Sequence, residues 1–187
     1  MTKHIINILV GKGNKMLDNK KDFLVIQEYS KALELLDNYD HQKVTKPDNL
    51  KKDTYQLTYE ECRDLIASMS FGSSSTIFGH EKSKGALKGI IDSVYQSAFG
   101  EDAYPTVEEK AANLLYFIVK DHPFIDGCKR IAASIFIYFL NQNELLFKDG
   151  KKTVSDSSLV AITLLLAESK PEEKEIMVRV VMNFLGW

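Results

Sequence analysis

The residues best suited to chemistry lie in one short run, Asp121-His122-Pro123-Phe124-Ile125-Asp126-Gly127-Cys128-Lys129-Arg130. From His122 to Arg130, nine residues bring together an imidazole, a carboxylate and a guanidinium. The spacing suggests an anion site. Pro123 and Gly127 break the chain, and an apolar run follows, so Arg130 falls in the first turn of a helix. The first amides of a helix have no intrahelical acceptors, and the helix dipole favours negative charge there. Gly127 permits close backbone approach to a ligand. Arg130 can grip phosphate through two parallel hydrogen bonds. Asp126 is an oxygen ligand suited to a magnesium ion that shares the phosphates. Histidine is the residue type suited to take a proton from a hydroxyl near neutrality, which makes His122 a candidate base. Together these parts could perform phosphoryl or nucleotidyl transfer. Each residue also has a plainer reading. His122 could be a structural turn residue, Asp126 a turn former or N-cap, and Lys129-Arg130 a solvated pair.

The flanking pattern predicts helices on both sides of this run. Thr106-x-x-Glu109 reads as a capping box opening a helix to about Lys120, with Leu114, Leu115 and Ile118 inward. Lys129 to Asn141 is apolar on nearly every side, the mark of a helix buried at the centre of a bundle. Thr58-x-x-Glu61 is a second capping box, opening a helix to about Met69 that ends in the turn Phe71 to Ser75. Further helices are expected over Phe23–Tyr39, with Ile26, Tyr29, Leu33 and Leu36 on one face, and over Leu87–Tyr95, Asp156–Glu168 and Pro171–Leu185. Lys12–Lys21 and Asp40–Tyr55 read as connectors, Gly100–Pro105 as a turn, and Lys51-Lys52 and Lys151-Lys152 as solvated loops. The class is all-α, with about six or seven helices and little strand.

Composition narrows the partners. The chain has 187 residues, with 24 basic and 26 acidic side chains and a net charge of -2. That balance gives no electrostatic case for nucleic acid or an anionic membrane. No apolar run reaches membrane-spanning length; Ile131 to Leu140 is the most hydrophobic stretch. Cys62 and Cys128 lack metal-ligand spacing and suit a reducing cytoplasm. Cys62 reads as a core residue, and His4, His41 and His80 as surface or local hydrogen-bonding groups.

The run His122 to Arg130 closely resembles the signature of the Fic/Doc family, roughly H-x-F-x-D/E-G-N-G/K-R. The resemblance extends to Tyr104-Pro105-Thr106, Glu109 to Ala112 and Leu114 to Tyr116 before it, and to Leu159 through Glu168 after it. It covers roughly Leu57 to Leu185. It implies a Fic fold over 55–187, with an N-terminal helical extension and connector over 1–54. By resemblance, His122 is the base that deprotonates a target hydroxyl. Phe124 anchors the loop and Asp126 holds magnesium. Gly127, Cys128, Lys129 and Arg130 bind the phosphates of ATP, the co-substrate. Ser93 to Tyr104 lies where the family has a flap that holds its target by strand addition.

The implied activity moves AMP from ATP onto a Ser, Thr or Tyr hydroxyl of a target protein, in a toxin–antitoxin setting with an antitoxin partner. Three positions depart from the adenylylating pattern. Cys128 stands where the family has Asn, and a thiol is a weak donor. Lys129 replaces the second Gly and resembles the Doc branch, which phosphorylates its target. Ala133 stands where many adenylylating members have a second Arg. These departures carry the alternatives of a Doc-like kinase or an inactive Fic fold serving as a binding module. Ser30 to Glu34 partly fits the family's inhibitory helix, but Leu35 fails its last position.

Overall fold

The computed structural model describes residues 24, 26–52, 55–69 and 75–186. The expected connector at Lys12–Lys21, His4 and the turn from Phe71 to Ser74 lie outside the described residues. The chain divides between Thr45 and Lys46 into two compact units. The first contains α1, Ser30–Asp40, which buries none of its residues. Tyr29 and Leu36, expected on an inward face, are exposed. An apolar stripe becomes core only where another element covers it.

The second unit carries the helical bundle. Its elements are α2 (Tyr59–Ser68), α3 (Ala86–Val94), strands β1 (Ser97–Ala98) and β2 (Glu101–Asp102), α4 (Val107–Asp121), α5 (Cys128–Gln142), strands β3 (Phe147–Lys148) and β4 (Lys151–Lys152), α6 (Asp156–Glu168), a 3-10 turn at Pro171–Glu173, and α7 (Lys174–Leu185). The strands form two separate antiparallel hairpins, so the fold is all-α. Both capping boxes form. Thr58 accepts from the Glu61 amide and Thr106 from the Glu109 amide, while each glutamate answers its cap. Each such cap contributes about 1 kcal/mol.

The sequence points to α5 as the buried centre. α5 does bury Ile131, Ala132, Ile135, Phe136, Phe139 and Leu140. The neighbouring α4 is buried still more completely, and it packs against α3, α5, α6 and α7. Hydropathy understates α4 because some of its buried residues are polar: Glu108, Glu109, Lys110 and Asn113. They are tolerated because they are partnered. Lys110 is 0% exposed, donating to Asp102 at 3.1 Å and to the Tyr104 carbonyl at 2.6 Å. Glu109 pairs with Lys46, and Glu108 accepts from the Lys51 amide at 3.0 and 3.2 Å.

Lys51 departs from the solvated-loop reading, whereas Lys151 and Lys152 are solvated but lie in a hairpin strand. Lys51 ties the chain down, its Nζ donating to the Asn143 carbonyl at 2.7 Å. Lys151 and Lys152 form β4, opposite Phe147 and Lys148. The signal for that hairpin was Asp149-Gly150, both at positive φ, 51° and 74°. Such a dipeptide suits a two-residue hairpin turn. Phe99 and Gly100 play the same part between β1 and β2, with φ of 56° and 85°.

Candidate active site

α4 stops because His122 turns into the left-handed region, φ 47° and ψ 56°. That turn sends Pro123 to Gly127 back along a segment from upstream, Phe78 to Lys82. The Lys82 amide donates to the Pro123 carbonyl at 2.8 Å. The Ile125 amide donates to the His80 carbonyl at 2.9 Å, and the Gly79 amide to the Asp126 carbonyl at 3.1 Å. Phe124, 1% exposed, plugs the loop into the core. Gly127 then takes φ 93° and opens α5 at Cys128. The motif loop is therefore held at both ends by helices and along its length by a backbone ladder. Such support is what a preorganised site needs.

The loop and the helix start line a pocket of about 330 Å³ with His122, Phe124, Asp126, Gly127, Cys128, Lys129 and Arg130, together with Lys82 and Ile125. All the residues singled out as site residues thus meet in one place. His122 is exposed and its imidazole has no hydrogen-bond partner among the described residues. Arg130 donates to both Asp126 oxygens, at 3.1 and 3.3 Å. Its guanidinium also lies 4.8 Å from the ring centre of Phe78. A planar guanidinium stacked on an aromatic face is held in orientation as well as in charge. The amides of Cys128 and Lys129 have no acceptor among the described residues. They are the donors that a helix start offers an anion.

Two details differ from the sequence reading. The space beside Gly127 is taken by Phe78, whose ring carbons would sit 2.4 and 2.7 Å from an added Cβ. Gly127 thus makes room for the ring that carries Arg130. The Cys128 thiol donates to the Phe124 carbonyl at 3.3 Å, so it braces the loop from within. Elsewhere, burial pushes the Cys62 thiol up to about 12, as fits a core cysteine. Burial also raises the Asp121 carboxyl, partly offset by the charges of Lys174 and His122. His41 Nδ1 donates to the Asp37 carbonyl, 2.7 Å away, a local role.

The segment Phe78–Lys82 is the part of the site that the sequence did not disclose. It forms isolated backbone bridges, Phe78 with Asp126 and Glu81 with Phe124. Such long-range pairing has no periodicity of its own to read. Its one local signal is Gly79, at φ 68°, where a Cβ would meet Ile66 at 2.5 Å.

Comparison with known proteins agrees with this geometry. Residues 48–140 match the Fic/DOC family. The chain belongs to that family. The match runs from before α2 through most of α5, so it includes the whole pocket-forming loop. The chain is also 34% identical over 87 residues to a protein named Toxin Doc from Mycolicibacterium smegmatis. That alignment covers 46% of this chain and 64% of the relative, less than two thirds of its length. No solved structure matches the chain. In this Fic/DOC chain the expected flap region contains the β1–β2 hairpin, with Phe99 fully exposed at its tip. No helix among the described residues is long and apolar enough to cross a membrane.

The donor set fits magnesium carried by a nucleotide. Among the described residues no three His, Cys, Asp or Glu side chains group to hold a metal ion by themselves. Asp126, partly exposed at the pocket wall, offers one carboxylate. One carboxylate plus substrate phosphates and waters is an ordinary magnesium environment.

Proposed function

We propose that this Fic/DOC chain transfers AMP from ATP to a Ser, Thr or Tyr hydroxyl of a target protein. The observation that carries the reading is the meeting, in one pocket, of an unpartnered imidazole with a cationic helix start. His122 lines that pocket together with Lys129, Arg130 and the free amides of Cys128 and Lys129. Arg130 and these amides hold the phosphates. Asp126 would hold the magnesium ion, which would supply neutralisation of the phosphate charge. His122 takes the proton from the target hydroxyl. The target oxygen then bonds to the α-phosphorus, the bond from that phosphorus to the bridging oxygen breaks, and pyrophosphate leaves. The exposed β1–β2 hairpin holds the target chain beside His122. A reducing cytoplasm is the setting proposed for this chemistry.

Phosphate transfer is the second reading. It comes from Lys129 at the helix start, a position that resembles the Doc branch, while the Toxin Doc relative motivates the proposal of a toxin paired with an antitoxin. Intact-protein mass spectrometry after incubation with ATP and magnesium separates the readings. An adenylyl adduct on the chain or on a protein from a cell extract supports the first. A phosphate adduct supports the second. No adduct of either kind, with nucleotide bound, rejects transfer.

A further inference from the structure

The motif supplies Lys129 and Arg130 as cations, and Arg130 is already engaged with Asp126. A polyphosphate carries more negative charge than Lys129 and an Arg130 shared with Asp126 answer. Lys82 also lines this pocket, although it lies far upstream of the motif. Its main-chain nitrogen is pinned to the Pro123 carbonyl at 2.8 Å, one residue past His122. Its side chain is exposed and has no ion-pair or hydrogen-bond partner among the described residues. Nearby lysines differ. Lys88 is paired with Asp92 at 2.6 Å, and Lys84 is exposed but does not line the pocket. The backbone ladder thus fixes the stem of one unspent cation beside the base, and leaves its ammonium group free to move.

We propose that Lys82 is a phosphate-binding residue of this site, contacting the polyphosphate of the nucleotide from the Phe78–Lys82 segment. The proposal rests on the nucleotide-transfer reading above. Lysine suits the role, being a compact charge on a flexible stem. The ladder uses only the Lys82 main chain, so replacing the side chain leaves the loop support intact.

The test compares the full-length chain with Lys82→Met, Lys82→Arg and Lys84→Met. Affinity for ATP with magnesium is measured by calorimetry, and the unfolding temperature of each protein is taken alongside. Lys82→Met should weaken ATP binding roughly tenfold, the loss expected for one charge-assisted hydrogen bond. Lys82→Arg should restore most of that affinity. Lys84→Met should match the parent, and all four unfolding temperatures should agree. Unchanged affinity in Lys82→Met, with the parent binding ATP, overturns the role of Lys82 alone. Loss that Lys82→Arg does not restore also overturns it, because charge is then not the cause. A parent chain that does not bind ATP rejects the nucleotide reading, and Lys82 with it.

Discussion

The ring of Phe78 occupies the place where any side chain on residue 127 would have to go, 2.4 Å from the Cβ position of Gly127. The same ring lies 4.8 Å from the Arg130 guanidinium. One aromatic side chain therefore couples the glycine of the motif to its arginine. The turn at Gly127 is needed for its φ of 93°, and also for the room it leaves to the ring.

Gly127→Ala should therefore cost more than a positive φ alone. The left-handed conformation contributes about 1–2 kcal/mol, and displacing the ring brings the total to about 2–4 kcal/mol. Adding Phe78→Ala should remove the steric part. Urea unfolding of the parent, both single variants and the double variant measures the coupling. Strict additivity of the two costs would show that the ring and the glycine do not compete for space.

His122 is exposed and unpartnered, so its side chain contributes little to the fold. His122→Ala should leave the unfolding temperature and nucleotide affinity nearly unchanged and abolish transfer to protein. Alanine keeps the same backbone demand at φ 47°, which avoids a confounding gain from glycine. Calorimetry and a radiolabel transfer assay on the same preparation check both halves. Transfer retained at the parent rate would remove His122 from the mechanism.

Cys128 donates its one proton to the Phe124 carbonyl, leaving no side-chain donor for phosphate. An asparagine amide has two N–H groups. One can keep the brace to Phe124 while the other points at an anion. Cys128→Asn should accordingly raise ATP affinity and transfer rate, by roughly ten- to a hundredfold for one bond to a charged oxygen. Cys128→Ala loses a weak donor and should bind ATP like the parent. Equal affinity in all three proteins would show that the side chain at position 128 takes no part in holding the anion.

Much of this site is local, and the local part was legible. The Thr106–Glu109 box announces α4, the apolar run announces α5, and the break between them places His122 and Asp126 on the loop. The parts that were not legible depend on distant partners. Phe78 to Lys82 enters the site only through backbone bonds to Pro123, Ile125 and Asp126. Lys110 looks solvent-bound in a linear pattern, yet Asp102 and the Tyr104 carbonyl make its burial tolerable and anchor the β1–β2 hairpin. Lys51 is tied down in the same way, through Asn143. Hydropathy reads a residue's own preference, and these cases are decided by the partner.

Glu108 gives a pH test of the same principle. Burial raises its carboxyl above the ordinary value of 4.5, against the Lys51 amide that stabilises the charged form. The folded chain then binds this proton more tightly than the unfolded chain does. The contribution is present below the ordinary pKa and is lost as pH rises through the raised value. Glu108→Gln keeps an acceptor for the Lys51 amide and removes the charge. It also relieves Glu109 of a like-charged neighbour. The variant should be more stable than the parent at neutral pH, and the difference should shrink toward acid. Other carboxyls shift the opposite way: Glu61 is lowered, chiefly by its hydrogen bond from Thr58. The total pH profile mixes these effects, so the difference between variant and parent is the quantity to read. Urea midpoints of both proteins across the acid-to-neutral range supply it. A parent that gains stability over the Gln variant as pH rises would mean that the Lys51 contacts, and not burial, govern Glu108.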